Sequence, residues 1–178
     1  LEAVNFAAKT ILVGEGDLTI GSGVESMSRA PWAMMKPERL PTTSAPKLWD
    51  TTVGWRFTNP RMEEMYPIVS LGEGAEIIAE EMQISREEQD AYSLESHTRA
   101  INAINQGNFI DEIVPITITQ KNGQKIVVDT DEHPRYEKKH DQYIIAIDMK
   151  DLEKLRPAFK KKGTVTAGNS SGINDGAA

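Results

Sequence analysis

Cysteine is absent from these 178 residues. That excludes disulfides, thiolate metal sites and any thiol nucleophile within them, while saying little about compartment. Basic charge is in deficit: 20 Lys and Arg against 27 Asp and Glu leave a net charge of −7. Such a balance favours solubility over nucleic-acid affinity. No apolar run approaches the roughly 20 residues of a membrane span, and no signal-peptide pattern stands at Leu1. Hydrophobic content, 39%, is on the low side for an ordinary domain. The length nevertheless suits one domain or one and a half, with room for a core.

What is present falls into a split organisation. The chain opens on Leu1 inside a helical pattern, with Leu1, Val4, Ala8 and Ile11 recurring at three and four residues. No Ser, Thr, Asp or Asn stands ahead of that helix as a cap, and this predicts a chain that continues before Leu1. Helix 1–13 should end at Gly14-Glu15-Gly16-Asp17, and Leu18-Thr19-Ile20-Gly21 reads as a short buried strand. From Pro31 to Pro67 periodicity fades among Pro31, Pro37, Pro41, Pro46, Pro60, Trp32, Trp49 and Trp55. A stretch of that length without pattern points to function or linkage rather than plain packing.

Periodicity then returns. Ala75, Ile78, Ala79 and Met82 share one helical face. Ser85 and Glu88 form a capping-box pattern opening a second helix through Ala91, Leu94, Thr98 and Ile101, with Gly107 near its end. Residues 113–119 and 125–129 flank Asn122-Gly123, a hairpin signal. A short helix over about 148–156 should stop before Pro157. The reading is therefore an α+β insertion over 31–163 interrupting α/β core pieces at 1–30 and 164–178.

Several groups invite chemistry. Gly168, Gly172 and Gly176, with Asn169, Ser170, Ser171, Asn174 and Asp175, make a glycine-rich polar loop after a β-type stretch. Its backbone can approach a ligand closely and offer N–H groups to amide or phosphate oxygens, although a plain turn has the same composition. Arg135 suits phosphate or adenine through its planar fork, or is a solvated arginine beside acidic neighbours. Lys160, Lys161 and Lys162 could meet phosphates, though a charge run is usually a solvated face. Asp129, Asp131, Glu132 and His133 lack ligand-loop spacing and its glycine, so they read as a hairpin-end charge cluster rather than a metal site. Gly21-Ser22-Gly23-Val24-Glu25-Ser26 lacks the third glycine of a dinucleotide fingerprint. His97 and His140 have no paired nucleophile.

Two stretches together identify a resemblance: Gly21-Ser22-Gly23-Val24-Glu25-Ser26-Met27-Ser28-Arg29-Ala30-Pro31, and Thr164-Val165-Thr166-Ala167-Gly168-Asn169-Ser170-Ser171-Gly172-Ile173-Asn174-Asp175-Gly176-Ala177-Ala178. Both closely resemble the thiolase family. The likeness covers most of the chain and weakens over roughly 36–66 and 135–147. It implies an α/β thiolase-like fold, here as a middle piece: residues 1–30 from the N-terminal core, 31–163 as the loop domain that covers coenzyme A and helps assembly, and 164–178 returning to the core.

The resemblance also implies roles. Ala167, Ser171 and Ile173 would hold the pantetheine arm of CoA, Phe159 would pack near the adenine, and Arg135 would lie near the nucleotide end. Ser70 and Leu71, in Ser70-Leu71-Gly72, stand where short-chain members carry His-Met-Gly, which alters the acyl-pocket floor. Tyr136–Lys150 looks like an insertion. No catalytic residue is expected inside the chain. The nucleophilic Cys should lie just upstream of Leu1, at a helix N-terminus that lowers its pKa, and a Gly-His-Pro histidine and second Cys should lie downstream of Ala178. The implied parent is an acyl-CoA C-acyltransferase working on CoA thioesters. It should be cytoplasmic unless a targeting segment precedes Leu1, a homotetramer or homodimer, and without metal, bound cofactor, nucleic-acid or membrane partner. The competing reading is a non-catalytic CoA-binding or oligomerisation module. The flanking coding sequence separates the two.

Overall fold

The computed structural model describes residues 1–37 and 45–178; Pro41 lies outside the described residues. Packing divides the chain into two compact units, Leu1–Ser70 with Ile173–Ala178, and Leu71–Gly172. The expected insertion, 31–163, therefore contributes to both.

In the first unit, helix α1 (Glu2–Leu12) forms where the apolar spacing placed it, and Leu1 at its N-cap offers no side-chain hydrogen bond. Glu2 in the first turn suits the positive end of the helix dipole. The helix ends as expected at Gly14, whose φ of +77° favours glycine. Leu18–Gly21 does not form the expected strand, and Leu18 and Ile20 are each 87% exposed. Strand backbone needs a ladder partner, and among the described residues none lies beside this segment. It is fixed instead by α1: the Thr19 hydroxyl donates to the Ala7 carbonyl at 3.0 Å. A Cβ on Gly21 would sit 2.9 Å from Val4 Cα, so only glycine allows this approach.

Pairing begins later, where β1 (Val24–Glu25) runs antiparallel to β8 (Gly176–Ala177). Asp175 reinforces that closure, accepting from the Ser28 backbone N–H at 2.9 Å, the Ser28 hydroxyl at 2.7 Å and the Ser26 hydroxyl at 3.1 Å. These bonds, led by the Ser28 N–H, hold its carboxyl below the usual range. The stretch without periodicity contains elements too short to display any: β2 (Trp32–Met34) paired with β3 (Leu48–Asp50), and α2 (Pro60–Met65) capped by Asn59.

Among its described residues the second unit is built on three helices and two hairpins. α3 (Leu71–Glu81) and α4 (Arg86–Asn105) are followed by β4 (Ile116–Thr119) with β5 (Lys125–Val128), β6 (Tyr136–Lys139) with β7 (Gln142–Ile145), and α5 (Met149–Glu153). The capping box at Ser85 and Glu88 is complete in both directions. The first hairpin turns at Asn122-Gly123, with the Gly123 N–H donating to the Gln120 carbonyl at 2.9 Å and Gly123 at φ +83°. The stretch Tyr136–Lys150, seen in sequence as an insertion, is the second hairpin and the start of α5. Asn105 ties this hairpin to the end of α4 by exchanging hydrogen bonds with the Tyr143 backbone at 2.7 and 2.9 Å.

The expected helix faces need correction. On α3 it is Glu76 and Ala79 that are buried, while Ala75, Ile78 and Met82 face outward. On α4, Asp90 is buried and Ala91 exposed; of the expected face Ile101 is buried, while Leu94 and Thr98 are half-buried. In both helices a carboxylate turns inward beside the alkyl groups, because it accepts hydrogen bonds from the backbone N–H groups and an amide of a loop packed there.

Candidate functional site

That loop, residues 163–172, is held from beneath by α3 and α4. Glu76, only 4% exposed, accepts the Thr164 N–H at 3.0 and 2.9 Å and the Val165 N–H at 2.9 Å. Gly163 gives the carboxylate room: a Cβ there would meet Glu76 Oε1 at 2.1 Å. Val165 in turn accepts from the Ala158 N–H at 2.9 Å, and Pro157 bridges Thr166. The loop is thereby stitched to the segment carrying Phe159.

Inside the turn, Asn169 is the hub. Its carbonyl accepts the Thr166 N–H at 2.7 Å, and its amide donates to the Thr164 carbonyl at 3.1 Å and to Asp90 Oδ1 at 2.9 Å. Asp90, 1% exposed, is paired by Arg86 at 2.6 Å, and Arg86 also donates to the carbonyls of Leu152 and Leu155. One turn further along α4, Gln89 donates to the Thr164 hydroxyl at 2.9 Å and Ser93 to the Gly168 carbonyl at 2.6 Å. Among the described residues no buried side-chain nitrogen or oxygen lacks a hydrogen-bond partner, as burial demands.

The positions named from the resemblance are left on the outside of this scaffold. Ala167 and Ser171 are exposed, and the Ser171 hydroxyl has no hydrogen-bond partner among the described residues. Phe159, 43% exposed, lays one side of its ring on Gly72. A Cβ at Gly72 would lie 2.4 Å from three ring atoms. Gly72→Ala is therefore expected to displace the ring and cost about 1–3 kcal/mol, read as a lower urea midpoint; an unchanged midpoint would show that the ring yields freely.

Arg135 is exposed, and its backbone N–H donates to His97 Nδ1 at 3.4 Å. Since His97 is four residues beyond Ser93, the α4 residues that hold Gly168 and Arg135 are about 6 Å apart along the helix axis. Of the remaining positions, Leu71 opens α3 fully exposed, Ser70 is half-buried at the end of the first unit, and Ile173 is exposed where the chain re-enters that unit. Lys160 is already engaged by Glu80, which raises the lysine and lowers the glutamate through their mutual hydrogen bond. In the first unit a hollow of about 640 Å3 is bounded by Leu1, Ala3 and Val4, by residues 21–25 and by residues 176–178.

Sequence reasoning found the exposed positions and missed the scaffold. Glu76, Arg86 and Asp90 are not singled out there, and Asn169 is read only as part of the glycine-rich loop. The available signal was that Glu76 and Asp90 stand on helices that also hold core residues, Ala79 on α3 and Ile101 on α4.

Comparison with known proteins fits this arrangement. The family model described as thiolase, N-terminal domain, matches residues 1–178. The β-ketoadipyl-CoA thiolase of Acinetobacter baylyi is 46% identical over the whole chain, and the 3-oxoadipyl-CoA/3-oxo-5,6-dehydrosuberyl-CoA thiolase of Escherichia coli is 43% identical; the chain spans 42% of the length of each. Among solved structures, the Bacillus anthracis acetyl-CoA acetyltransferase superposes with a TM-score of 0.75 at 37% identity, over 99% of this chain and 41% of that one. Human mitochondrial 3-ketoacyl-CoA thiolase in complex with CoA gives 0.72 at 35% identity, over 99% of this chain and 40% of its own. Sequence and fold agree along the entire chain, which belongs to the thiolase family and has its α/β fold.

Proposed function

We propose that these residues form the coenzyme A-binding part of a longer acyl-CoA C-acyltransferase, which cleaves 3-oxoacyl-CoA or condenses acyl-CoA. The observation that carries this is the loop itself: braced beneath by Glu76 and Asp90, it leaves Ala167 and Ser171 exposed, while Phe159 follows the segment stitched to it and Arg135 is held by the same helix α4. Such a surface offers one hydroxyl to a pantetheine amide, an aromatic face and a guanidinium fork to a nucleotide. In the mechanism the family resemblance implies, a cysteine thiolate outside these residues takes the acyl group and releases CoA. A carbanion of acetyl-CoA then attacks that thioester and expels the thiolate.

Several relatives are named for 3-oxoadipyl or β-ketoadipyl substrates, and Ser70-Leu71-Gly72 departs from the short-chain pattern. The relatives' names favour an acyl group bearing a distal carboxylate, and the departure at Ser70-Leu71 counts against a preference for acetoacetyl-CoA. A higher kcat/KM for 3-oxoadipyl-CoA than for acetoacetyl-CoA in the complete protein would support this, and the opposite order would overturn it. Oligomeric assembly belongs to the same reading: Ile116, Ile118, Ile126, Val127 and Val128 of the β4–β5 hairpin are exposed. A non-catalytic binding module is the competing reading, and the flanking coding sequence decides between them.

Binding is tested on the chain directly by titrating CoA while following backbone amide shifts. Affinity should be weak, in the millimolar range of about −4 kcal/mol, with shifts centred on residues 167–173. Shifts that avoid those residues would overturn the groove assignment. A hydrogen bond from Ser171 contributes about 0.5–1.5 kcal/mol net. Ser171→Ala in the complete enzyme should therefore raise KM for the CoA substrate several-fold and leave kcat nearly unchanged.

A further inference from the structure

His97 lies outside the proposed chemistry, yet it is the residue against which Arg135 is held. It is half-buried in the middle of α4, and its Nδ1 accepts the Arg135 backbone N–H at 3.4 Å. That geometry needs a neutral ring with a free lone pair on Nδ1; an imidazolium has donors at both nitrogens and cannot accept. On its other side the Arg135 carbonyl accepts the Ala146 N–H at 2.9 Å, so the backbone at Arg135 is pinned between α4 and the end of β7. The His133 ring is centred 5.9 Å from the His97 ring. The Arg135 guanidinium has no ion-pair partner among the described residues and is free to meet an anion.

We propose that His97 is a positioning residue for Arg135: neutral, it pins the arginine one helical turn from the 163–172 loop, and protonated it lets go. The nucleotide-end subsite would then weaken in mildly acidic solution. This rests on reading Arg135 as a CoA contact. Release has two causes, loss of the acceptor at Nδ1 and a new positive charge facing Arg135 and His133. Burial first, then those two neighbours, already hold the His97 ring below the ordinary imidazole range, so it is neutral at neutral pH. The other elements against α4 add no competing charge to it. On β7, Tyr143 is engaged with Thr130 and with the Tyr136 ring. On and beside α5, Asp148 caps the helix, and Asp151 pairs with Lys154. Asp131 and Glu132 bear on Tyr136 instead.

The experiment measures KM and kcat of the complete enzyme from about pH 8 down to about pH 4.5, through and below the range in which an ordinary imidazole titrates, because His97 is held lower. CoA's own terminal phosphate titrates near pH 6, so wild type is compared with His97→Asn, which keeps an acceptor near Nδ1 and cannot be charged. Wild-type KM should rise about threefold more than that of His97→Asn at the acid end, roughly what one hydrogen bond is worth, with kcat moving equally in both. A pantetheine thioester lacking the nucleotide should show no such difference. Identical pH profiles for the two proteins, or a difference that persists with pantetheine, would overturn the role of His97. Arg135→Ala separates the underlying reading: an unchanged KM there removes Arg135 from the CoA site altogether. Should the variants misfold, the wild-type chain suffices. Its Arg135 amide resonance must shift with the same midpoint as the His97 ring, and an amide blind to that midpoint sinks the proposal.

Discussion

Arg86→Ala should destabilise the second unit by about 3–5 kcal/mol, because it leaves the Asp90 carboxylate buried without its counter-ion. Asp90 is 1% exposed and depends on Arg86 at 2.6 Å and on Asn169 at 2.9 Å. The same substitution deletes the donors to the carbonyls of Leu152 and Leu155. An internal control is available in the same helix. Arg99 pairs with Glu95 at the same spacing and the same 2.6 Å, but with both side chains more than half exposed. Arg99→Ala should therefore cost no more than about 0.5 kcal/mol. Urea unfolding followed by helical circular dichroism compares the two. Equal losses would mean that burial of Asp90 does not govern the pair. The double change Arg86→Met with Asp90→Leu should recover much of the loss, since neutral partners of similar volume need no desolvation. The loop would nonetheless lose its tie to Asn169, so coenzyme binding should not recover with stability.

That pair also shows why part of this molecule was legible in the sequence and part was not. Local rules fixed what local chemistry decides. The capping box at Ser85, the turn at Asn122-Gly123 and the end of α1 at Gly14 all appear as read, because each depends on residues within a few positions. The strand expected at Leu18–Gly21 failed because a strand is a relation between two segments, and its sequence says nothing about whether the second is at hand. The face of α3 was misjudged for a related reason. Apolar spacing favoured Ala75, Ile78 and Met82, but Glu76 finds three N–H bonds from Thr164 and Val165, which lie 88 and 89 positions away. A buried acid with distant donors leaves no periodic trace. The exposed Ala167, Ser171, Phe159 and Arg135 came from resemblance and not from periodicity.

The largest expected effect is on activity, where the 178 residues by themselves should show no thiolysis of acetoacetyl-CoA or of longer 3-oxoacyl-CoA. Thiolysis as proposed requires a thiolate that carries the acyl group, and no cysteine is present. The other side chains cannot substitute for it. Ser171 is exposed but has no hydrogen-bonded base among the described residues, so its hydroxyl stays protonated and weakly nucleophilic. His97 is committed to the Arg135 backbone. Loss of a covalent nucleophile typically lowers kcat by about 10⁴-fold or more, enough to bring the rate to background. Binding and chemistry should thus separate: CoA perturbs the amides of residues 167–173, while thiol reagents fail to label the chain and free CoA does not consume 3-oxoacyl thioester. If the proposed cysteine lies outside these residues, the complete protein should turn over the same substrate, and replacing that cysteine with alanine should return it to the level of the isolated chain. Turnover by the purified 178 residues that survives removal of contaminating enzymes would overturn this division, because it would place a working nucleophile among residues that include no cysteine.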